Sequence, residues 1–508
     1  MAFGSFIRLA HAAWVLAREG AFTGVDPLGL PPPARLPLAI AKRIARRDSK
    51  KKRNRLANAM ERLGPSYIKL GQFLATRPDI VGVRAASELT ELQDRLSPFE
   101  HATAVKIIEA DLGSSIGKIF LEFGEPVAAA SIAQVHKARI LQKGEEREVA
   151  VKVLRPGVER RFKRDVLDML RAAKLAERYS AEARRLRLID VVETLARSVR
   201  LEMDFRIEAA AASEFEENTQ NDPLFRVPKV DWDRTSKNVL VTEWIRGTSL
   251  SDINGLIARG VDLPALGQNV IQSFLRHAMR DGFFHADMHQ GNLFVDEDGR
   301  LVAVDFGITG RLGEKERRFL AEILYGFITR DYRRVAEVHF EAGYVPRIHA
   351  VEDFAQAIRA IGEPIHSRTA DQISMARLLA LLFEVTALFD MKTRTELVLL
   401  QKTMVVVEGV ARSLDPRLDL WSTAEPVVGE WIRQNLGPAA AVQDARTAFA
   451  AIRRLMPILP DLVERALAHS EAQPSSRVPA VRVEPRDGGV LLALWMIAAL
   501  LAIGIALR

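Results

Sequence analysis

The sequence predicts an α+β fold, a small β-rich region set among long helices, on three observations. Leu293 to Val295 and Leu301 to Val304 are apolar runs flanking the turn-formers Asp296 to Gly299, which is a β-hairpin pattern. Glu148 to Leu154 alternates as a strand does, following an alanine-rich stretch. Val158 to Asn218, and nearly everything from Gly307 to about residue 470, is charge-rich or periodic and reads as helix. At 508 residues the chain is long enough for two or more domains, and 48% hydrophobic with 27% charged residues is normal for a chain with a sizeable core.

The hairpin belongs to the most informative stretch, His285 to Gly307 (HADMHQGNLFVDEDGRLVAVDFG). Asp287 and Asn292 stand five apart, as in the H-R-D-x-x-x-x-N loop of protein kinases, and the second hairpin strand delivers Asp305-Phe306-Gly307 beside that loop. Phosphoryl transfer is catalysed mainly by positioning and charge neutralisation, so carboxylate and amide oxygens must meet around Mg²⁺ next to a base. Asp305 and Asn292 are therefore candidate metal ligands, and Asp287 the candidate base or orienting group. A lone DFG is a weak signal, but the loop, hairpin and tripeptide in register are not. His285 and His289 also stand four apart, yet HxDxH on a loop is not the helical H-E-x-x-H of zinc proteases.

Composition narrows the partners. A net charge of +7 and a pI of about 9.6 point to anionic partners. With 7% aromatic residues and no RNA- or DNA-binding signature, acidic lipid and nucleotide phosphate are favoured over nucleic acid. The absence of cysteine excludes disulfides, thiolate metal sites and cysteine nucleophiles.

In chain order, residues 1 to 24 read as an amphipathic helix expected to pack on the domain's own core, followed by the break Pro31-Pro32-Pro33. The basic run Lys42 to Arg53 reads as a solvated helix face; its functional alternative is attraction to anionic headgroups, about 1 kcal/mol per basic residue. In Leu63 to Val81, Lys69 and Gln72 share a helix face, and Gly71 between them costs helix stability, which implies a close backbone approach. Ala128, Ala129, Ala130 and Ser131 occupy the place where a kinase carries its glycine-rich phosphate loop; alanine allows close approach but resists φ > 0. Lys152 takes the place of the V-A-I-K lysine. Glu202, Asp204 and Glu208 are candidate carboxylates for Lys69 and Lys152, and periodicity leaves the pairing open. Lys237 to Gly247 is a strand running into Glu243-Trp244, where backbone groups of a hinge could meet an adenine edge. Glu396 to Val410 reads as a buried helix, since Lys402 and Glu408 interrupt it. Residues 471 to 487 read as a linker, and Gly488 to Leu507, uncharged and about 30 Å long as a helix, is predicted to be a transmembrane helix with its N-terminal side cytoplasmic.

Seven stretches in order, LGPSYIKLGQFLATRPDIV, AAASIAQVH, AVKVLRPG, LEMDFRIEAA, VTEWIRG, FHADMHQGN with VDFG, and LLQKTMVVVEGVARSLDP, resemble the UbiB/ABC1/ADCK atypical kinase family. The likeness runs over roughly residues 5 to 420, and Lys69-x-Gly71-Gln72, the KxGQ motif, is absent from ordinary kinases. The one departure is Gln290, where the family loop usually has proline.

The resemblance implies a two-lobed protein-kinase-like fold. The expected organisation is a helical KxGQ extension (1–120), an N-lobe with the Ala-rich loop and a helical insertion (121–247), a C-lobe with a helical extension (248–470), a linker (471–487) and the membrane helix (488–507). It implies ATP and Mg²⁺ as cofactors. Lys152 would contact phosphate and pair with Glu208, and Glu202 and Asp204 would form an ExD motif near Lys69 and Gln72. Ala128 to Ser131 and Val135 would cradle the nucleotide, with Glu243 and Trp244 at its base. Asp287, Lys152, Lys69 and Gln72 make up the implied catalytic set, with Asn292 and Asp305 holding metal. The implied activity is a kinase or ATPase supporting ubiquinone biosynthesis at the cell inner membrane. Its implied partners are polyprenylphenol or quinone lipids, biosynthetic enzymes and anionic lipid. A nucleotide-binding scaffold and a small-molecule phosphotransferase are the competing classes. A hydroxylase is not supported, for no flavin fingerprint or iron triad is present.

Overall fold

The computed structural model describes residues 2–23, 32–45, 55–75, 77–90, 97–179, 181–366 and 395–437, with Leu92, Val385 and 388–391 besides. The N-lobe is an antiparallel sheet in the order β1 (Glu122–Ala129), β2 (Ala133–Gln142), β3 (Glu145–Leu154), β5 (Val239–Glu243). Alternation along β3 sends Val149, Val151 and Val153 to one face, where helix His101–Leu112 covers them with Ala104 and Ile108. The other face carries Lys152, directly across from Val135 of β2. Because β3 lies inside the sheet, Lys152 is not a surface lysine on an edge.

In the C-lobe a second sheet has the order β4 (Phe225–Arg226), β9 (Leu301–Ala303), β8 (Leu293–Asp296), β6 (Gly247–Ser249), and a separate pair joins β7 (Phe283–His285) to β10 (Thr309–Arg311). The β8–β9 hairpin is the expected one, closing through Gly299 at φ +80°. Helices Leu263–Arg276, Glu314–Thr329, Thr395–Leu414 and Leu420–Asn435 bury their apolar faces around these strands. The stretch read as one buried helix from Glu396 is Thr395–Leu414, with Leu400, Val407, Val410 and Leu414 inside.

The long helical tract is divided. Val158–Tyr179, Ala181–Leu186, Leu188–Glu202 and Phe205–Thr219 are separate helices. One break falls at Arg187, in the left-handed region at φ +52°, and another where Asp204 caps the last helix by accepting from the Arg206 N–H. The N-terminal helices Ala2–Glu19, Pro32–Ile44, Arg55–Leu63, Pro65–Ala75 and Val83–Thr90 have their own core. They are fastened to Val158–Tyr179 through two buried carboxylates: Asp165 accepts from the Ser66 hydroxyl at 2.7 Å, and Asp168 accepts from Ser5 and from Arg8 at 2.6 Å. Tyr67, Leu70 and Phe73 pack into both this core and that of the helical insertion.

One expectation is corrected. Among the described residues no helix is long and apolar enough to cross a membrane. The predicted C-terminal transmembrane helix, and the single-pass inner-membrane anchoring drawn from it, find no support and are withdrawn. A twenty-residue apolar run gives the length of a span, but only its placement in a structure makes it one. Residues 488–507 and the linker before them lie outside the described residues.

Candidate active site

The cleft between the lobes is lined by side chains that local structure fixes one at a time. Lys152 points from β3 toward helix Phe205–Thr219, where Glu208 in the first turn accepts from its ammonium at 2.8 and 3.0 Å. The same ammonium lies 3.0 Å from Oδ1 of Asp305, across the lobe boundary, and over the Phe205 ring at 5.5 Å. Burial alone would discharge Lys152, but Asp305 and Glu208 outweigh it and hold its pKa above the ordinary lysine value. Burial likewise opposes the charge on Asp305, yet Lys152 keeps that carboxyl below its usual range. Glu208 yields in this three-way arrangement: burial pushes it up to about 7, with Asp305 adding to the rise against the pull of Lys152.

Asp305 follows β9 with φ +64°, a conformation that Asp tolerates better than most residues, and its Oδ1 also accepts from the Gly307 N–H. Phe306 is buried, 5.1 Å from the Phe215 ring of the Glu208 helix and 5.0 Å from the His285 ring. His285 supports the loop. Its Nε2 donates to the Val304 carbonyl at 3.0 Å and its Nδ1 accepts from the Asp287 N–H at 3.1 Å. Burial lowers its pKa, so it is neutral with the proton on Nε2. With both nitrogens engaged, it has no lone pair for zinc. Asn292 donates from Nδ2 to the Asp287 carbonyl, which turns its amide oxygen away from the loop backbone. The Asp287 carboxylate is 3.7 Å from Nε2 of His289.

The pairing left open by the sequence is resolved for the ExD carboxylates. Glu202 takes Lys69 at 2.6 Å in a nearly buried pair. Asp204 instead turns to Arg206, accepting at 2.9 and 2.7 Å, and this guanidinium lowers its pKa. Gly71 explains itself sterically: a Cβ would collide with Leu92 and crowd Leu89 and Met60. Gln72 sits half-buried on the same helix.

The Ala-rich turn between β1 and β2 contains no residue with positive φ. Arg155 donates to the Ala130 carbonyl at 3.0 Å and to the Ser97 carbonyl at 2.8 Å, while Gln134 accepts from the Phe99 N–H. The turn bearing Ala128, Ala129 and Ala130 is thereby tied to the end of the N-terminal extension. Ser131, expected to touch nucleotide, is fully buried, because its neighbours fold inward with it. At the hinge, the Glu243 N–H donates to the Lys229 carbonyl and the Trp244 N–H to the Glu148 carbonyl, so neither is available to an adenine edge in this conformation. The Glu243 carboxylate meets Arg226, which also donates to Asp296 at 2.8 Å and so ties the end of β5 to the β8–β9 hairpin.

Sequence reasoning missed Arg155, Gln134, Arg226 and Thr403. Thr403, buried on helix Thr395–Leu414, shares its hydroxyl proton between the Leu399 carbonyl of its own helix at 2.8 Å and, at 3.2 Å, the Ala286 carbonyl immediately before Asp287. Near the end of the same helix Ser413 accepts from Gln290 of the loop. The usable signal was a polar residue inside an apolar motif, Gln134 in SIAQVH and Thr403 in LLQKTMVVV, since a buried polar side chain needs a stated partner.

A β3 lysine paired with a helix carboxylate, a DFG aspartate beside it and a base-plus-asparagine loop below define a protein-kinase-like fold, made atypical by the KxGQ helix ion-paired to the insertion. Residues 91–339 match the ABC1 atypical kinase-like domain, and residues 358–419 match the UbiB helical domain. The chain is 40% identical over 466 residues to "Probable protein kinase UbiB" of Marinobacter nauticus, covering 91% of this chain and 85% of that one. It is 42% identical over 404 residues to the protein of the same description in Azotobacter vinelandii, covering 78% and 75%. The chain belongs to the UbiB family of ABC1 atypical kinase-like proteins. The solved complex of Rv3197 with erythromycin from Mycobacterium tuberculosis is a looser likeness, with 24% identity and a TM-score of 0.49, covering 74% of this chain and 96% of that one.

Proposed function

We propose that this chain is an ATP- and Mg²⁺-dependent atypical kinase or ATPase that supports ubiquinone biosynthesis, working on or with polyprenylphenol intermediates and alongside the enzymes that modify them. The observation that carries this reading is the Lys152 ammonium held between Glu208 and Asp305. An intact lysine, carboxylate and metal-ligand set is what phosphoryl transfer requires.

The donor set fits the metal. The Asp305 carboxylate and the Asn292 amide oxygen are hard oxygen ligands, and Mg²⁺ commonly takes only one or two protein ligands beside phosphate. When bound, Mg²⁺ would neutralise phosphate charge. The chain's own residues do the rest: Lys152 offers an ammonium to phosphate oxygens, Glu208 orients that ammonium, and Asp287 orients or deprotonates the acceptor. His285 and Asn292 hold the backbone on either side of Asp287.

A lipid rather than a protein acceptor is supported by the KxGQ helix. Lys69 on Glu202, Ser66 on Asp165, and the Tyr67, Leu70 and Phe73 contacts anchor it to the insertion that carries Glu208. A second reading is a scaffold that binds nucleotide but turns it over slowly, favoured by the Asp305 carboxylate being engaged by Lys152 rather than left open for metal. ATP hydrolysis by the purified chain, with and without a 2-polyprenylphenol in detergent micelles, tests both. Stimulated, Mg²⁺-dependent turnover lost in Asp305→Asn is expected. Nucleotide binding without turnover in either condition would leave the scaffold, and phosphorylation of added protein would overturn the lipid reading.

A further inference from the structure

The Ala-rich turn between β1 and β2 is fastened from behind by one residue. Within the turn the Ala130 N–H donates to the Ala133 carbonyl at 2.8 Å, closing the turn on itself. Arg155, directly after β3, holds it twice. Its backbone N–H donates to the Ile132 carbonyl at 2.8 Å, and its Nε donates to the Ala130 carbonyl at 3.0 Å. The other arm of the same guanidinium donates to the Ser97 carbonyl at 2.8 Å, and the group lies over the Phe99 ring at 5.7 Å. A planar fork with fixed donor directions bridges two carbonyls only while both stay in place.

Phe99 is gripped independently. Gln134, fully buried on β2, takes both of its backbone groups: Oε1 accepts from the Phe99 N–H at 2.8 Å, and Nε2 donates to the Phe99 carbonyl at 3.3 Å, as a neighbouring strand would. The Phe99 N–H fixes which way this amide points. Its Nε2 also donates to Nε2 of buried His136 at 2.8 Å, and Nδ1 of His136 donates to the Gly124 carbonyl at 2.8 Å, so the ring is neutral with its proton on Nδ1. A buried amide engaged at both ends is a rigid footing. Residues 97–100, which lead into helix His101–Leu112, are thus tied to the sheet through Gln134 and to the turn through Arg155. A glycine loop could close on a ligand by itself. This turn has no residue with positive φ, and any movement of Ala130 must break the Arg155 fork or carry residue 97 with it.

We infer that Arg155 is a positioning residue for nucleotide: braced on the Gln134–Phe99 footing, it preforms the Ala-rich turn for phosphate and makes residues 97–100 tighten when nucleotide binds. The inference rests on the proposed reading of this turn as the nucleotide loop.

The test measures Mg²⁺-ADP and Mg²⁺-ATP affinity of the full chain, and backbone hydrogen exchange of residues 97–101 with and without nucleotide. In the intact chain nucleotide should slow exchange in this segment, because it binds the closed turn and suppresses local opening. Arg155→Met keeps the aliphatic stem without the donors. It should weaken nucleotide binding about five- to tenfold and abolish the nucleotide-dependent protection. Arg155→Lys, with the charge but no fork, should do nearly the same. Gln134→Leu should weaken binding by itself but add nothing in the Arg155→Met background, since both act through one segment. If Gln134→Leu does not fold, the two Arg155 variants decide alone. A residue that only stabilises the N-lobe would lower the melting temperature and leave both affinity and nucleotide-dependent protection intact, and that result in Arg155→Met would overturn the inference. So would full affinity in Arg155→Lys, which would reduce the role to charge, or additive losses in the double variant. An intact chain that binds no nucleotide would instead defeat the reading of the turn, and the inference with it.

Discussion

The Lys152 ammonium and the Asp305 carboxylate, 153 residues apart, meet at 3.0 Å across the two lobes. On the proposed reading the lysine would meet phosphate and the aspartate metal at this point. The contact links the two lobes directly, and on that reading it would give way as Mg²⁺-ATP binds.

Asp305→Asn should therefore fold normally but lose Mg²⁺-dependent nucleotide affinity by about tenfold or more, as one formal charge leaves the metal site. Titration of ATP with and without Mg²⁺ measures this. An unaltered Mg²⁺ requirement would remove Asp305 from the metal site.

Glu208 predicts a pH dependence. Its pKa is raised from the ordinary glutamate value of 4.5 to about 7 in the fold, so between those values the folded chain holds a proton that the unfolded chain releases. This contribution to stability is fully present below 4.5 and is lost as pH rises through about 7. Ionised Glu208 holds the Lys152 ammonium with both oxygens and a full charge, beside Asp305, so nucleotide turnover should rise as Glu208 ionises across the same upper limb. Glu208→Gln should erase both effects, which thermal melts and pH–rate profiles of the two proteins would reveal.

Thr403→Val keeps the shape of a buried side chain but removes the donor to the Ala286 carbonyl. The expected stability cost is about 1–3 kcal/mol, for a buried acceptor losing a partner. Turnover should fall more than nucleotide affinity, since the displaced backbone carries Asp287 and not the phosphate contacts. Equal losses in both would mean that Thr403 only stabilises the fold.

Gln290 opens the short 3₁₀ turn Gln290–Asn292, a position where the fixed φ of proline fits. Gln290→Pro should preserve the fold within about 1 kcal/mol and lose only the link to Ser413. Ser413→Ala should then have no further effect on melting in the Gln290→Pro background. A further loss would show that Ser413 supports the loop by another route.

What the sequence determined by itself was the chemistry-bearing set and its order. Asp287, Asn292 and Asp305 are fixed by spacing within one hairpin unit, Lys152 by strand alternation, and Gly71 by its cost inside a helix, because each of these constraints is local. The division of labour among the acids needed the tertiary structure. Glu202, Asp204 and Glu208 lie within seven residues, and only the break at Met203 to Asp204 sends one to Lys69, one to Arg206 and one to Lys152. The same holds for the supports that arrive from far along the chain, Arg226 at the hinge and Thr403 beneath the loop: a hydrogen bond between residues 70 or 117 positions apart leaves no periodicity to read.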